Sequence, residues 1–213
     1  MLPTTNLINW FLVYGRSYPW RFTHSPYKVL VSEILLQQTN ADKVVTPYSI
    51  IIERYSTIQE LAEADDNDFL EVFSKLGLFF RSKRLKAIAR DVIDRFDSSV
   101  PSNLTQLISI TGIGDYTANA VLCFGYGLDS PIVDTNIIRI FDRYGLYRST
   151  MKRPRTDKAL WVFATSILPQ SNVIEYNYAL LDLGALICTS RKPRCEVCPI
   201  KEACYSFINK AMF

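Results

Sequence analysis

The sequence predicts an all-α fold, and three observations carry that expectation. Apolar residues recur at helical spacing through most of the chain. No stretch alternates apolar and polar residues between hairpin turns. Capping and stop residues fall between the periodic segments, with Ser102, Asn103, Asp134 and Thr156 as N-caps and Gly77, Gly127 and Gly145 as stops.

Taken in order, "NLINWFLVYG" puts Leu7, Trp10, Phe11 and Tyr14 on one helical face. "YKVLVSEILLQQT" is a nearly unbroken apolar run, interrupted by Ser32 and Glu33. "VVTPYSIIIERY", "TIQELAEA", "DFLEVFSKLG" and "SKRLKAIARDVIDRF" each fit a helix with one apolar stripe. "NLTQLISI" and "DYTANAVLCFGYG" flank the tight turn Gly112-Ile113-Gly114. "TNIIRIFDRYG", "TDKALWVFATSIL" and "EYNYALLDLGALIC" complete a set of about ten helices with short connections.

Composition is that of an ordinary globular chain able to bury a sizeable core, with 48% apolar and 21% charged residues. The formal charge of +3 does not announce a nucleic-acid binder, but its distribution is informative. Arg81, Lys83, Arg84 and Lys86 form one basic cluster, Lys152, Arg153 and Arg155 a second, and Arg191, Lys192 and Arg194 a third. Acidic residues gather at Glu60, Glu63, Asp65, Asp66, Asp68 and Glu71, so the sequence permits one basic and one acidic surface. The start, "MLPTTNLINW", has no basic segment followed by an apolar one, and no run is long enough to span a bilayer. The expectation is an intracellular, cytoplasmic protein with reduced thiols.

Cys188, Cys195, Cys198 and Cys204 crowd the C-terminus with the spacing C-x6-C-x2-C-x5-C. Four thiolates this close in sequence suit one soft metal centre. Spacing alone leaves zinc and an iron–sulfur cluster both open, although the second knuckle of a zinc ribbon is missing. Cys123, in "AVLCFG", reads as a small core residue.

The Gly-Ile-Gly turn between two helical segments reads as a helix-hairpin-helix. Such a turn exposes backbone N–H groups at the start of the second helix, where the helix dipole favours a phosphate. Its glycines admit a left-handed backbone and close approach of a ligand. The alternative is an ordinary corner between two helices.

"ITGIGDYTANAV", "PIVDTNIIRI" and the four-cysteine tail together resemble the helix-hairpin-helix DNA glycosylases related to endonuclease III. "YPWRFTHSPYKVLVSEILLQQT" is similar to the branch that contains the adenine glycosylase MutY and the MIG-type mismatch thymine glycosylases. The likeness runs from about Trp10 to Cys204. It implies a two-lobed all-α fold: a six-helix barrel with the hairpin over 23–130, and a discontinuous lobe of 1–22 and 131–213 with the catalytic aspartate and a 4Fe–4S cluster on Cys188, Cys195, Cys198 and Cys204. It further implies a monomeric, nucleoid-associated enzyme of base excision repair that acts on double-stranded DNA holding a mismatch or lesion.

The chemistry that resemblance implies fits the residues. Breaking an N-glycosidic bond builds positive charge on the sugar and negative charge on the leaving base, and two carboxylates can serve both ends. The resemblance makes Asp134 and Glu33 that catalytic pair. Asp134 also reads as the N-cap of the helix starting at Thr135, a role compatible with a fixed, preorganised charge. Glu33, among apolar neighbours, is expected to be desolvated with a raised pKa and to protonate the base or assist water.

Tyr116 stands where bifunctional relatives carry a lysine that attacks the sugar, so the strand should remain intact; the tyrosine can line the base pocket instead. Gln37 and Gln38 can contact the orphaned base, Leu78 can wedge into the gap, and the cluster from Arg81 to Lys86 can hold phosphates. His24, the one histidine, is expected to be structural. The chain ends soon after Cys204, so the C-terminal domain of MutY is expected to be absent, and "VDTN" departs from the Asp-Gly-Asn typical there. Thymine or uracil opposite guanine is the favoured target. Adenine opposite guanine or 8-oxoguanine is the alternative, and a non-catalytic iron–sulfur DNA-binding protein a second.

Overall fold

A computed structural model describes residues 2–67, Phe73 and 79–210 of the chain. The described residues are helical, with no strand. None of the described helices is long and apolar enough to cross a membrane. They form two compact units, 17–128 and the discontinuous 1–16 with 129–213.

The 17–128 unit contains α2 (Pro26–Leu36), α3 (Val45–Arg54), α4 (Ile58–Glu63), α5 (Phe79–Phe96), α6 (Leu104–Ile108) and α7 (Asp115–Ala120). Ser25 caps α2 and Pro26 opens it, where a missing N–H costs nothing. Thr57 and Glu60 close a capping box on α4. Of Ser102 and Asn103, Asn103 is the cap: its side chain accepts from the Gln106 N–H at 3.2 Å. Arg95 ties α5 to the hairpin through the Ser109 carbonyl and hydroxyl. The helix expected over "DYTANAVLCFGYG" widens after α7 into a π-turn over Val121–Gly125 and ends at Gly127, whose φ is +68°. The helix expected over "DFLEVFSKLG", with the stop at Gly77, lies outside the described residues apart from buried, helical Phe73.

Residues 17–22 were expected with the N-terminal helix but belong to the 17–128 unit. Trp20 stacks on Tyr18, with centroids 4.8 Å apart, and meets Tyr48 edge-on at 5.5 Å. Tyr18 in turn donates to Asp42 at 2.9 Å.

The other unit contains α1 (Thr4–Tyr14), α8 (Thr135–Tyr144), α9 (Lys158–Ser166), α10 (Val173–Leu186) and α11 (Tyr205–Ile208). The N-terminal segment joins it through a buried charge pair. Asp182 on α10, fully buried, accepts from the Arg16 backbone N–H and from its Nε, each at 2.7 Å. Leu7 is buried and Phe11 lies against Tyr178, but Tyr14 is 66% exposed, so the apolar face of α1 ends a turn earlier than expected. The cap of α9 is Asp157 rather than Thr156. Its Oδ1 accepts from the N–H groups of Ala159 and Leu160, whereas the Thr156 hydroxyl donates back to the Arg153 carbonyl. Gly145 ends α8 in the left-handed region, at φ +83°.

The acidic and basic clusters do not segregate completely. Lys86, only 8% exposed, donates to the Ala64 carbonyl at the end of α4 and pairs with Asp66 at 2.6 Å. It is therefore unavailable to the phosphates it was expected to contact. Lys83 and Arg84 remain exposed on α5, and Asp68 and Glu71 lie outside the described residues.

At Gly125 the chain passes close against the start of α2. A β-carbon there would stand 2.7 Å from Pro26 Cα and 3.2 Å from its nitrogen. Those are backbone atoms, which cannot swing aside. Gly125→Ala should therefore cost about 1–3 kcal/mol, seen as a lower thermal midpoint. Gly114→Ala, where nothing lies within 4 Å and φ is −103°, should leave the midpoint nearly unchanged. Equal midpoints for the two variants would show that α2 is not held by this contact.

Candidate functional site

In the 17–128 unit, Glu33 sits on α2 with 6% of its surface exposed. Val29, Leu30, Val31, Ile34 and Leu35 around it are buried almost completely, and the Ser32 hydroxyl is spent on the Val29 carbonyl at 2.8 Å. The carboxylate thus interrupts an apolar helix, and burial rather than an exposed edge is its setting. Gln37 caps the end of α2, and Gln38 follows in the left-handed region at φ +56°. A non-glycine residue there is uncommon and is held by its context.

The hairpin joins α6 to α7. Gly112 has φ +102°, a value that demands glycine. Gly114 is the N-cap of α7 and faces open space. Ile113 points the other way. Its side chain is buried and its N–H donates to the Ile110 carbonyl at 3.0 Å. Ile113 therefore plugs the hairpin into the core through its side chain. Tyr116 is half-buried in the first turn of α7. Arg81 lies on α5, but its side chain, like all of Leu78, is outside the described residues. His24 is exposed just before α2.

In the other unit, Asp134 is the N-cap of α8. Oδ1 accepts from the Ile137 N–H at 2.7 Å and Oδ2 from Asn136 Nδ2 at 2.9 Å. Burial pushes its pKa above the ordinary carboxylate value. The N–H groups of Ile137 and Asn136, the Asn136 amide and the Arg139 charge act in the opposite direction.

Sequence reasoning missed the residues that hold this carboxylate in place. Asn177 on α10, 1% exposed, accepts from the Ile132 N–H at 3.2 Å and donates to the Ser130 carbonyl at 3.0 Å, pinning the segment that leads into Asp134. Arg139 Nη2 donates to Asn136 Oδ1 at 2.9 Å and to the Gly184 carbonyl at 2.8 Å, while its Nε reaches the Cys188 carbonyl at 2.8 Å. Gly184 lets the two helices meet: a β-carbon there would lie 2.5 Å from Asn136 Cβ. The signals available were a buried-type polar residue and a glycine inside the apolar helix "EYNYALLDLGALIC".

Cys188, Cys195, Cys198 and Cys204 are all half-buried and free, and they line one recess. Arg143 Nη1 lies 3.6 Å from Cys188 Sγ and donates to the Thr189 carbonyl, and Nη2 donates to the Ser190 carbonyl. Among the described residues no three of His, Cys, Asp or Glu are grouped to hold a single metal ion. A tetrahedral zinc would draw its thiolates to within about 4 Å of one another. Cysteines not drawn together in that way suit a larger, multi-iron centre. Burial, with the neighbouring cysteine charges, lifts the Cys198 thiol to about 11 against the Ile200 N–H bond that lowers it. Cys195 is raised as well, first by burial and then by Cys188 and Cys204. Iron binding would therefore have to displace protons from these thiols into solvent. Cys123 is fully buried in the 17–128 unit, a core residue.

The comparisons with known proteins agree with this geometry. Residues 31–165 match the HhH-GPD superfamily of base excision DNA repair proteins, and residues 188–204 match the iron–sulfur binding domain of endonuclease III. The thymine-DNA glycosylase of Aeropyrum pernix is 37% identical over 95% of this chain and 93% of its own length. The adenine DNA glycosylase of Buchnera aphidicola subsp. Baizongia pistaciae is 36% identical over 97% of this chain, which spans 59% of that relative's length. A solved structure of a thermostable thymine-DNA glycosylase superposes with a TM-score of 0.89 at 30% identity, covering 97% of this chain and 95% of that one. Endonuclease III, at 20% identity and a TM-score of 0.78, shares the fold.

The cofactor is a 4Fe–4S cluster bound by the motif over 188–204, which contains the four C-terminal cysteines. Purified protein should be brown and hold about four irons and four sulfides per chain. Cys198→Ser should lose iron and solubility while Cys123→Ser keeps iron; stoichiometric zinc in a colourless, folded protein would contradict this assignment.

The raised pKa of Asp134 has a stability consequence. Its folded-state pKa lies above the unfolded one, so its favourable contribution is complete below the unfolded value and is lost as pH rises through the folded one. Asp134→Asn keeps capping capacity without the desolvated charge. The thermal midpoint of the variant relative to wild type should be highest near neutral pH and fall as pH approaches about 4. A relative midpoint that climbs on acidification would mean that the ionised carboxylate stabilises the fold.

Proposed function

This chain belongs to the HhH-GPD superfamily of base excision DNA repair proteins, and from that premise we propose that it is a monofunctional mismatch DNA glycosylase. It hydrolyses the N-glycosidic bond of a flipped thymine or uracil opposite guanine, acting as a monomer on double-stranded DNA. The observation that carries the reading is Asp134, a carboxylate short of solvent whose two oxygens are fixed by backbone and side-chain donors. A fixed negative charge stabilises the cationic sugar of the transition state without reorganising as the bond breaks. Glu33, buried in α2, serves the other end by protonating the leaving base or assisting water. The open face of Gly114 and the first turn of α7 suit a phosphate.

Tyr116 supports the absence of strand cleavage. The hairpin "ITGIGDYTANAV" contains no lysine, and a phenol cannot form a Schiff base. The choice of thymine or uracil over adenine is supported by relatives named thymine-DNA and thymine/uracil-DNA glycosylases, with which the chain aligns over nine-tenths of their length. The second reading, excision of adenine opposite guanine or 8-oxoguanine, draws on "LLQQT" and on relatives named adenine DNA glycosylases.

Single-turnover rates on T:G, U:G, A:G and A:8-oxoguanine duplexes decide between the two. T:G and U:G should be fastest. An A:8-oxoguanine rate more than about tenfold above T:G, roughly 1.4 kcal/mol in barrier, would reverse the choice. Strand breaks should appear only after alkali, and efficient borohydride trapping of wild-type protein on DNA would contradict the monofunctional mechanism. Asp134→Asn should slow base release by roughly 10²-fold or more.

A further inference from the structure

The end of α2 carries an arrangement that the preceding roles do not use. Arg84 on α5 donates from Nη1 to Gln37 Oε1 at 2.7 Å. A guanidinium has donors and no acceptor, so the amide oxygen must face it, which fixes which way round the Gln37 amide lies. Nε2 then points away, and no acceptor holds it among the described residues.

The arginine is itself braced. Its Cγ and Cδ each lie 3.3 Å from the place a β-carbon of Gly112 would occupy, so the stem crosses the bare face of the hairpin glycine. Gln37 stands four residues after Glu33, about one helical turn or roughly 5 Å further along the same face. The left-handed turn at Gln38 then carries the chain away.

We propose that Arg84 is a specificity-determining residue. By engaging Oε1 it holds the Gln37 amide with its N–H donors turned outward, and that position then reads an acceptor at the 6-position of the purine opposite the excised base, the O6 of guanine. The inference rests on the glycosylase reading above. A purine with an amine or a hydrogen at that position offers no acceptor there, and adenine would set donor against donor. Without Arg84 the amide can turn over, and the discrimination is lost while Gln37 remains.

The test uses duplexes with a tetrahydrofuran abasic analogue, so no base needs to be excised. Opposite the analogue stands guanine, hypoxanthine (which keeps O6 and lacks the 2-amine) or 2-aminopurine (which keeps the amine and lacks O6). Binding of the full chain, with its iron–sulfur centre, is read by fluorescence anisotropy. Wild type should bind the guanine and hypoxanthine duplexes within about threefold of each other and the 2-aminopurine duplex roughly tenfold more weakly.

Arg84→Met should weaken all three together, because a cation near phosphates is gone, and should shrink the 2-aminopurine gap to less than about threefold. Arg84→Lys, which keeps a donor for Oε1, should retain most of the gap, and Gln37→Ala should abolish it. Wild type that binds all three alike, or Arg84→Met that keeps the full gap, overturns the proposal. Wild type with no preference for any abasic duplex over undamaged DNA sinks the glycosylase reading instead.

Discussion

A carboxylate at a helix start governs the unit built from 1–16 and 129–213. Asp134 must cap α8 and still keep a charge that its surroundings disfavour. One oxygen takes a backbone N–H and the other takes the Asn136 amide, which also accepts from Arg139. Behind it, Asn177 satisfies the backbone of a buried segment that would otherwise carry unpaired polar groups. Gly184 lets α10 come close enough for the Arg139 bonds to form. The same α10 carries Asp182, which takes Arg16 and so brings the N-terminal helix into the unit.

The iron–sulfur centre belongs to this arrangement as much as the capped aspartate does. Cys188 follows α10 directly, and its carbonyl is an acceptor for Arg139. Arg143, one turn further along α8, spends its guanidinium on the carbonyls of Thr189 and Ser190. The recess is therefore roofed by the helix that Asp134 begins. The loop from Cys188 to Cys204 has only short 3-10 turns and little buried apolar surface of its own. Iron binding would supply the folding energy that such a loop lacks. The buried, reluctant thiol of Cys198 sets part of its cost in protons.

Much of this was legible in the sequence because helix periodicity and capping are local. The helices, the caps Asn103 and Asp134, the stop at Gly145 and the four-cysteine centre all follow from patterns within a few residues. What was not legible depends on partners far along the chain. Asn177 and Ser130 are 47 residues apart, and Arg84 and Gln37 are separated by the same number. Lys86 looked like a phosphate contact because its neighbours are basic, yet α4 ends beside it and the Ala64 carbonyl needed a donor. Ile113 lies between two glycines, and an apolar residue in such a tight turn is the natural plug for the core beneath. Asp157 displaced Thr156 as a cap because its carboxylate takes two backbone N–H groups, and the threonine hydroxyl had a nearer carbonyl.

These cases share a reason. Periodicity reports helix interiors, where side chains are chosen for burial, and says nothing of helix ends. Ends carry backbone groups without intrahelical partners and are where the chain changes direction. Asp134 and Gly114 are N-caps, Tyr116 is in a first turn, Gln37 is a C-cap, and Cys188 lies just past one. A polar group at such a place can be held by the orphan donors and acceptors while its other side stays free for a ligand. Glu33 is the exception, a carboxylate in a helix interior, and it is the one whose burial the periodic pattern itself exposed. The helix interiors set the spacing and the ends carry the polar groups. A residue such as Arg84, which sits in an interior and acts on an end, is invisible to either kind of pattern until the two are brought together.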